Sequence, residues 1–217
     1  MRAMVTLLIL GLILIAPPDR AKAEEITITA FGDSLTQGYG LPARDGFVPQ
    51  LEAWLAAQGG AAVTLINAGV SGDTTAGGRA RVAWAMSDQP DAVIVAFGGN
   101  DVLRGLPPEA ARENIAAILQ ALEGRAVLLV GITAPGNYGA QYKAQFDAIY
   151  PALAEEFGAV YYPDFLGALY RDTPRDQALA DWIQGDGLHP NKAGVARIVA
   201  DMGPRVLELI KRVEAAR

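Results

Sequence analysis

Five short runs of β-branched and apolar residues, separated by stretches with helical periodicity, constrain this chain more than any other feature of its sequence. The runs are Ile26 to Phe31, Val63 to Asn67, Ala92 to Phe97, Ala126 to Ile132 and, less strongly patterned, Ala159 to Tyr162. They read as strands buried on both faces. Between them, Phe47 to Ala57 carries apolar residues at Phe47, Val48, Leu51, Trp54 and Leu55. Ile115, Ile118, Leu119 and Leu122 mark a helix begun by Pro107-Pro108-Glu109, and Tyr142, Phe146, Ile149, Leu153 and Phe157 mark another. A last helix is expected after His189-Pro190-Asn191, with Gly203-Pro204 kinking or breaking it, because proline removes an amide donor and its ring clashes one turn back. Alternation of strand and helix predicts an α/β fold: a parallel sheet with helices on both faces, a three-layer α/β/α sandwich.

The first residues follow a different logic. Arg2 gives a basic start, Met4 to Ala16 is apolar apart from Thr6 and Gly11, and Pro17-Pro18 ends a run too short to span a bilayer as a helix. Ala21-Lys22-Ala23 places small residues where a signal peptidase reads them. Residues 1–23 are therefore expected to be an export signal cleaved before Glu24, leaving 24–217 as a single domain in the periplasm or outside the cell. The alternative is an uncleaved anchor; without cysteine, a lipid anchor on that residue is impossible.

Cleavage would take the net charge from -6 to -8, because three cations and one carboxylate leave with the segment. An acidic surface with no basic run repels phosphate backbones, so nucleic acid is not an expected partner. Zero cysteines remove disulfides and thiolate nucleophiles, and a single histidine disfavours zinc.

In open α/β sheets, ligands gather where strands run into helices at their carboxyl ends. Strand one leads into Gly32-Asp33-Ser34-Leu35, strand two into Asn67-Ala68-Gly69-Val70-Ser71-Gly72-Asp73-Thr74, and strand three into Gly98-Gly99-Asn100-Asp101. Ser34 stands where a serine nucleophile would, though serine is common at such turns as a helix cap. The Gly-x-Ser-x-Gly elbow of α/β-hydrolases is absent, since Thr36 takes the second glycine position. Gly72, lacking a Cβ, can bring its amide close to a ligand. It also fits a plain turn before a helix capped by Asp73. Asn100 can offer its side-chain amide or form an Asx turn. His189, the only histidine, follows Asp186 by three residues in Gly185-Asp186-Gly187-Leu188-His189-Pro190. Imidazole suits general base work near neutral pH, and an adjacent carboxylate fixes its tautomer; alternatively His189 merely opens a helix.

Phe31-Gly32-Asp33-Ser34-Leu35, Asn67 to Thr74, Gly98-Gly99-Asn100-Asp101 and Asp186-Gly187-Leu188-His189-Pro190-Asn191 resemble, in order, the four blocks of the GDSL, or SGNH, hydrolases. Pro135-Gly136-Asn137-Tyr138-Gly139 and Ala148-Ile149-Tyr150-Pro151 are similar to the secreted thioesterase I, lysophospholipase L and arylesterase branch. The resemblance implies a flavodoxin-like sandwich with five parallel strands. It implies Ser34 as nucleophile, His189 as base, Asp186 as its orienting carboxylate, and the Ser34 amide, Gly72 and Asn100 as oxyanion donors. Asp33 and Asp101 would hold loops. It also implies hydrolysis of small acyl esters or thioesters, lysophospholipids among them, with no metal or organic cofactor. Asn137 and Tyr138, with the segment from Gly105 to Pro108, are candidates for bordering an acyl groove, or simply for packing. Two other functions remain open to a chain of this kind: a carbohydrate acetylesterase, and a non-catalytic lipid or carbohydrate binding module.

Overall fold

The apolar runs become strands with bounds within two residues of those expected: β1 (Ile26–Gly32), β2 (Val63–Gly69), β3 (Ala92–Ala96), β4 (Ala126–Val130) and β5 (Val160–Tyr162). The computed structural model describes residues 25–217, so the expected export signal lies outside the described residues. All pairings are parallel, in the order β2-β1-β3-β4-β5. From β1 the chain moves outward to β2, then crosses back to form β3 on the other side of β1. Strand order therefore reverses between β1 and β3, and the loops leaving their carboxyl ends diverge to open a crevice.

The helices, in chain order, are α1 (Ser34–Gln37), α2 (Phe47–Gln58), α3 (Thr75–Ala85), α4 (Gly99–Leu103), α5 (Pro108–Ala121), α6 (Ala140–Asp147), α7 (Ile149–Glu156), α8 (Gly167–Tyr170), α9 (Arg175–Trp182) and α10 (Lys192–Ala216). One face of the sheet is covered mainly by α2 and α10, with Phe47, Leu51, Ile198 and Met202 packed with Ile28, Ile94 and Leu128. On the other face α5, α6 and α7 bring Ile115, Ile118, Phe146 and Leu153 against Phe31, Val95 and Leu129. Fully burying each such side chain contributes about 1.5–3 kcal/mol, and the two layers hold the sheet from both sides. The three-layer α/β/α sandwich is thus present. No helix among the described residues is long and apolar enough to cross a membrane.

Two helical details turn on proline, the first of them against expectation. The single helix expected around Tyr142 to Phe157 is two, α6 and α7, with Ala148 between them. Pro151 has no amide hydrogen to give the Asp147 carbonyl four residues back, so the ladder is interrupted there. Pro204, by contrast, lies inside α10 without breaking it. Gly203 offers no Cβ to the proline ring, and Met202, Gly203 and Val206 are buried, so packing on both sides of the proline keeps the helix continuous.

Candidate active site

Ser34 is the first residue of α1, directly beyond β1. A Cβ on Gly32 would collide with the Thr36 hydroxyl and the Ala96 carbonyl, so glycine is what lets the chain turn this tightly against β3. Thr36, the residue that replaces the elbow's second glycine, fills that space and is 1% exposed. Asp33 is the N-cap, its carboxylate accepting from the Leu35 amide at 3.0 Å. Burial pushes the Asp33 carboxyl up to about 6, against the opposing pull of the Leu35 amide, the nearby His189 and the Asn100 side chain. Ser34 therefore begins the helix but is not its cap.

His189 comes to this point from 155 residues along the chain. Its loop is closed by an antiparallel bridge between Ile183 and Pro190 and by the Gln184 amide donating to the His189 carbonyl at 2.8 Å. Asn191, not His189, caps α10, its side chain accepting from the Gly194 amide. Inside the loop, Asp186 Oδ1 accepts from the Leu188 and His189 amides at 2.9 and 3.0 Å, while Oδ2 lies 2.6 Å from His189 Nδ1. Partial desolvation opposes ionisation of Asp186, but those two amides and the imidazole outweigh it and hold the carboxyl down to about 2. An ionised carboxylate only accepts, so Nδ1 carries the proton and Nε2 is left to accept from the Ser34 hydroxyl, 2.8 Å away. Tyr39 leans over the imidazole with ring centroids 4.7 Å apart, and its carbonyl accepts from Gln184 Nε2 at 2.8 Å, tying the end of α1 to the histidine loop.

The other two loops flank this pair. Asn100, on α4, lines the same cavity as Ser34 and His189. Gly72 lies on the neighbouring loop, outside that cavity's wall, with φ +84, a left-handed conformation that L side chains rarely adopt. Its carbonyl accepts from Arg104 Nη2 at 2.9 Å, joining this loop to the end of α4. Asp73 does not cap α3 as expected. Thr74 does, accepting from the Gly77 amide, because the Asp73 carboxylate is drawn to Arg81 Nε at 2.6 Å. Asp101 is buried and accepts from both the amide and hydroxyl of Thr75, fastening α4 to α3.

The cavity above Ser34 holds about 400 Å³ and is walled by Val102, Leu103, Ile132, Leu166, Tyr170 and Leu188, with Arg175 among its lining. Asn137 and Tyr138 are not part of this wall; the loop reaches it through Pro135. Tyr138 instead donates to the Leu103 carbonyl at 3.3 Å and packs on Tyr142. A second cavity, about 310 Å³, lies at the opposite end of the sheet among Glu123, Arg125, Glu156 and Arg212, with no hydroxyl–imidazole pair. Among the described residues no group of three His, Cys, Asp or Glu side chains is arranged to hold a metal ion. Beneath its apolar walls the cavity brings together a hydroxyl and an imidazole able to take its proton, with the Asp186 carboxylate on the imidazole's far nitrogen. The sequence did not single out Tyr39, Gln184 or Arg81, which fasten these groups.

Residues 30–197 match the GDSL-like Lipase/Acylhydrolase family. Esterase TesA of Pseudomonas aeruginosa is 34% identical over 213 residues, covering 97% of this chain and 100% of its own length. Thioesterase 1/protease 1/lysophospholipase L1 of Escherichia coli K12 is 37% identical over 177 residues, covering 80% and 79% respectively. The crystal structure of AlinE4, an SGNH-hydrolase family esterase, aligns with a TM-score of 0.68 at 43% identity, covering 85% of this chain and 96% of that one.

Proposed function

Because the chain belongs to the GDSL-like lipase/acylhydrolase family, we propose that it hydrolyses carboxylic esters and thioesters of apolar acyl groups through an acyl-Ser34 intermediate. The observation that carries this reading is the 2.8 Å contact between Ser34 Oγ and His189 Nε2, with Asp186 behind the imidazole. His189 takes the hydroxyl proton as Oγ attacks the acyl carbonyl. The oxyanion that forms is received by the Ser34 and Gly72 amides and the Asn100 side chain. The imidazolium, steadied by Asp186, then protonates the leaving alcohol or assists a thiolate out. A water activated by His189 hydrolyses the acyl-serine and frees the acid.

The apolar walls favour an acyl chain over an acetylated sugar. Each methylene drawn from water onto such walls is worth up to about 0.8 kcal/mol, close to fourfold in affinity. A panel of nitrophenyl esters, acyl thioesters, lysophospholipids and acetylated sugars tests this. The expected result is turnover whose kcat/KM rises from acetyl to medium-chain substrates. Acetylated sugars as the best substrates would replace this reading with that of a carbohydrate acetylesterase, and no hydrolysis of any member would leave only a binding module. Residues 1–23 read as an export signal, so the mature enzyme would begin at Glu24 and act in the periplasm or outside the cell. Secreted material still beginning near Met1 would contradict that.

A further inference from the structure

Arg81, on α3, hydrogen-bonds to the ends of β1 and β2 and lies beside Phe97, the first residue beyond β3; the loops from these three strands carry Ser34, Gly72 and Asn100. Its Nη2 donates to the Gly32 carbonyl at the end of β1, and its Nη1 to the Ala68 carbonyl near the end of β2, each at 2.9 Å. The guanidinium lies 4.6 Å from the ring centroid of Phe31, two residues after which comes Asp33. It is 5.7 Å from that of Phe97, which leads from β3 toward Asn100. Its Nε donates to the Asp73 carboxylate at 2.6 Å, one residue beyond Gly72. The side chain is only 17% exposed. Parallel strands end together here, so several carbonyl dipoles point their negative ends at one place, and a forked cation can satisfy them at fixed spacing. The left-handed Gly72 peptide is also held from the other side, by Arg104 on its carbonyl.

We propose that Arg81 is a positioning residue for the reaction: by clasping Gly32, Ala68 and Asp73 at once, it sets where the Gly72 amide stands relative to Ser34. This rests on the reading of Ser34 and Gly72 given above. A packing role alone needs the methylene stem and a charge; fixing two loops relative to each other needs the fork. Lysine has the stem and the charge without the fork, and methionine has the stem alone.

The test compares Arg81→Lys and Arg81→Met with wild type, with competent sites counted by end-point titration with an organophosphonate and folding followed by the thermal midpoint. A misplaced oxyanion donor predicts kcat per titrated site falling about a hundredfold in Arg81→Met and at least about tenfold in Arg81→Lys. KM should stay within about threefold, since the lost contact acts on the transition state rather than on ground-state binding. The midpoint of the pH–rate profile should not move, because the base is untouched. Arg81→Lys should recover the thermal midpoint better than it recovers kcat. Wild-type kcat per titrated site in Arg81→Lys would overturn the proposal, as would a loss confined to KM. If Arg81→Met does not fold, Arg81→Lys decides alone. Failure of the underlying reading has a different signature: wild type itself would neither turn over an ester nor take the phosphonate.

Discussion

Asp33 and Asp186 each stand beside a reacting side chain, yet their surroundings drive their carboxyls in opposite directions. Asp33, 2% exposed at the end of a central strand, is raised to about 6 by burial. Asp186 lies in a loop at the rim, its side chain 36% exposed, and is lowered to about 2 by the Leu188 and His189 amides and the imidazole despite some desolvation. Two carboxylates pushed apart by their environments mark two roles. In the proposed reaction Asp186 is the anion that steadies the cationic imidazole. Asp33 is a costly buried group that caps the helix carrying Ser34. The nucleophile side of the site is thus built into the sheet, whereas the base side is a small loop that makes its own geometry and is then tied on by Gln184 and Tyr39.

The largest expected effect tests the base side. Asp186→Asn keeps the shape of the loop but lets Nδ1 face a donor, which favours the wrong tautomer. kcat should fall by about 10⁴-fold, as for the equivalent change in serine proteases, with the fold intact by circular dichroism. A loss under tenfold would mean that Asp186 only shapes the loop. On the sheet side, Asn100→Ala should lower kcat by about 10²–10³-fold with KM little changed, the effect of one missing oxyanion donor. A rise in KM at constant kcat would assign Asn100 to ground-state binding instead.

The smallest effect concerns stability. Because the folded pKa of Asp33 is raised from 3.8 to about 6, the native state holds this proton more tightly than the unfolded chain does. Its contribution is therefore fully present below about pH 4 and is lost as pH rises through about 6, a linkage of up to about 3 kcal/mol. Asp33→Asn removes that slope, so the variant should gain thermal stability relative to wild type at pH 8 more than at pH 4, while turning over more slowly. Equal shifts at both pH values would show that Asp33 is not carrying a buried charge.

Much of this was legible in the sequence, for identifiable reasons. Strands buried on both faces announce themselves as apolar runs, and β1 to β5 all followed from them. Asp186 and His189 were legible as a pair because their geometry is local, three residues apart on one loop. Arg81 was not, since α3 has two glycines and only Val82 and Trp84 as large apolar residues to signal a helix, and its acceptor on β1 lies 49 residues away. The same holds for Gln184, which reaches Tyr39 across 145 residues. The loop with Asn137 and Tyr138 was recognisable as a motif, but only the packing of Tyr138 against Leu103 and Tyr142 decides which way it faces.

One measurement bears on the central claim most directly: peptide mass spectrometry of the protein after inactivation by an organophosphonate. The account predicts a single adduct on Ser34, formed in step with complete loss of esterase turnover, and none in Ser34→Ala. An adduct on any other residue, or turnover that persists once Ser34 is fully modified, would contradict it.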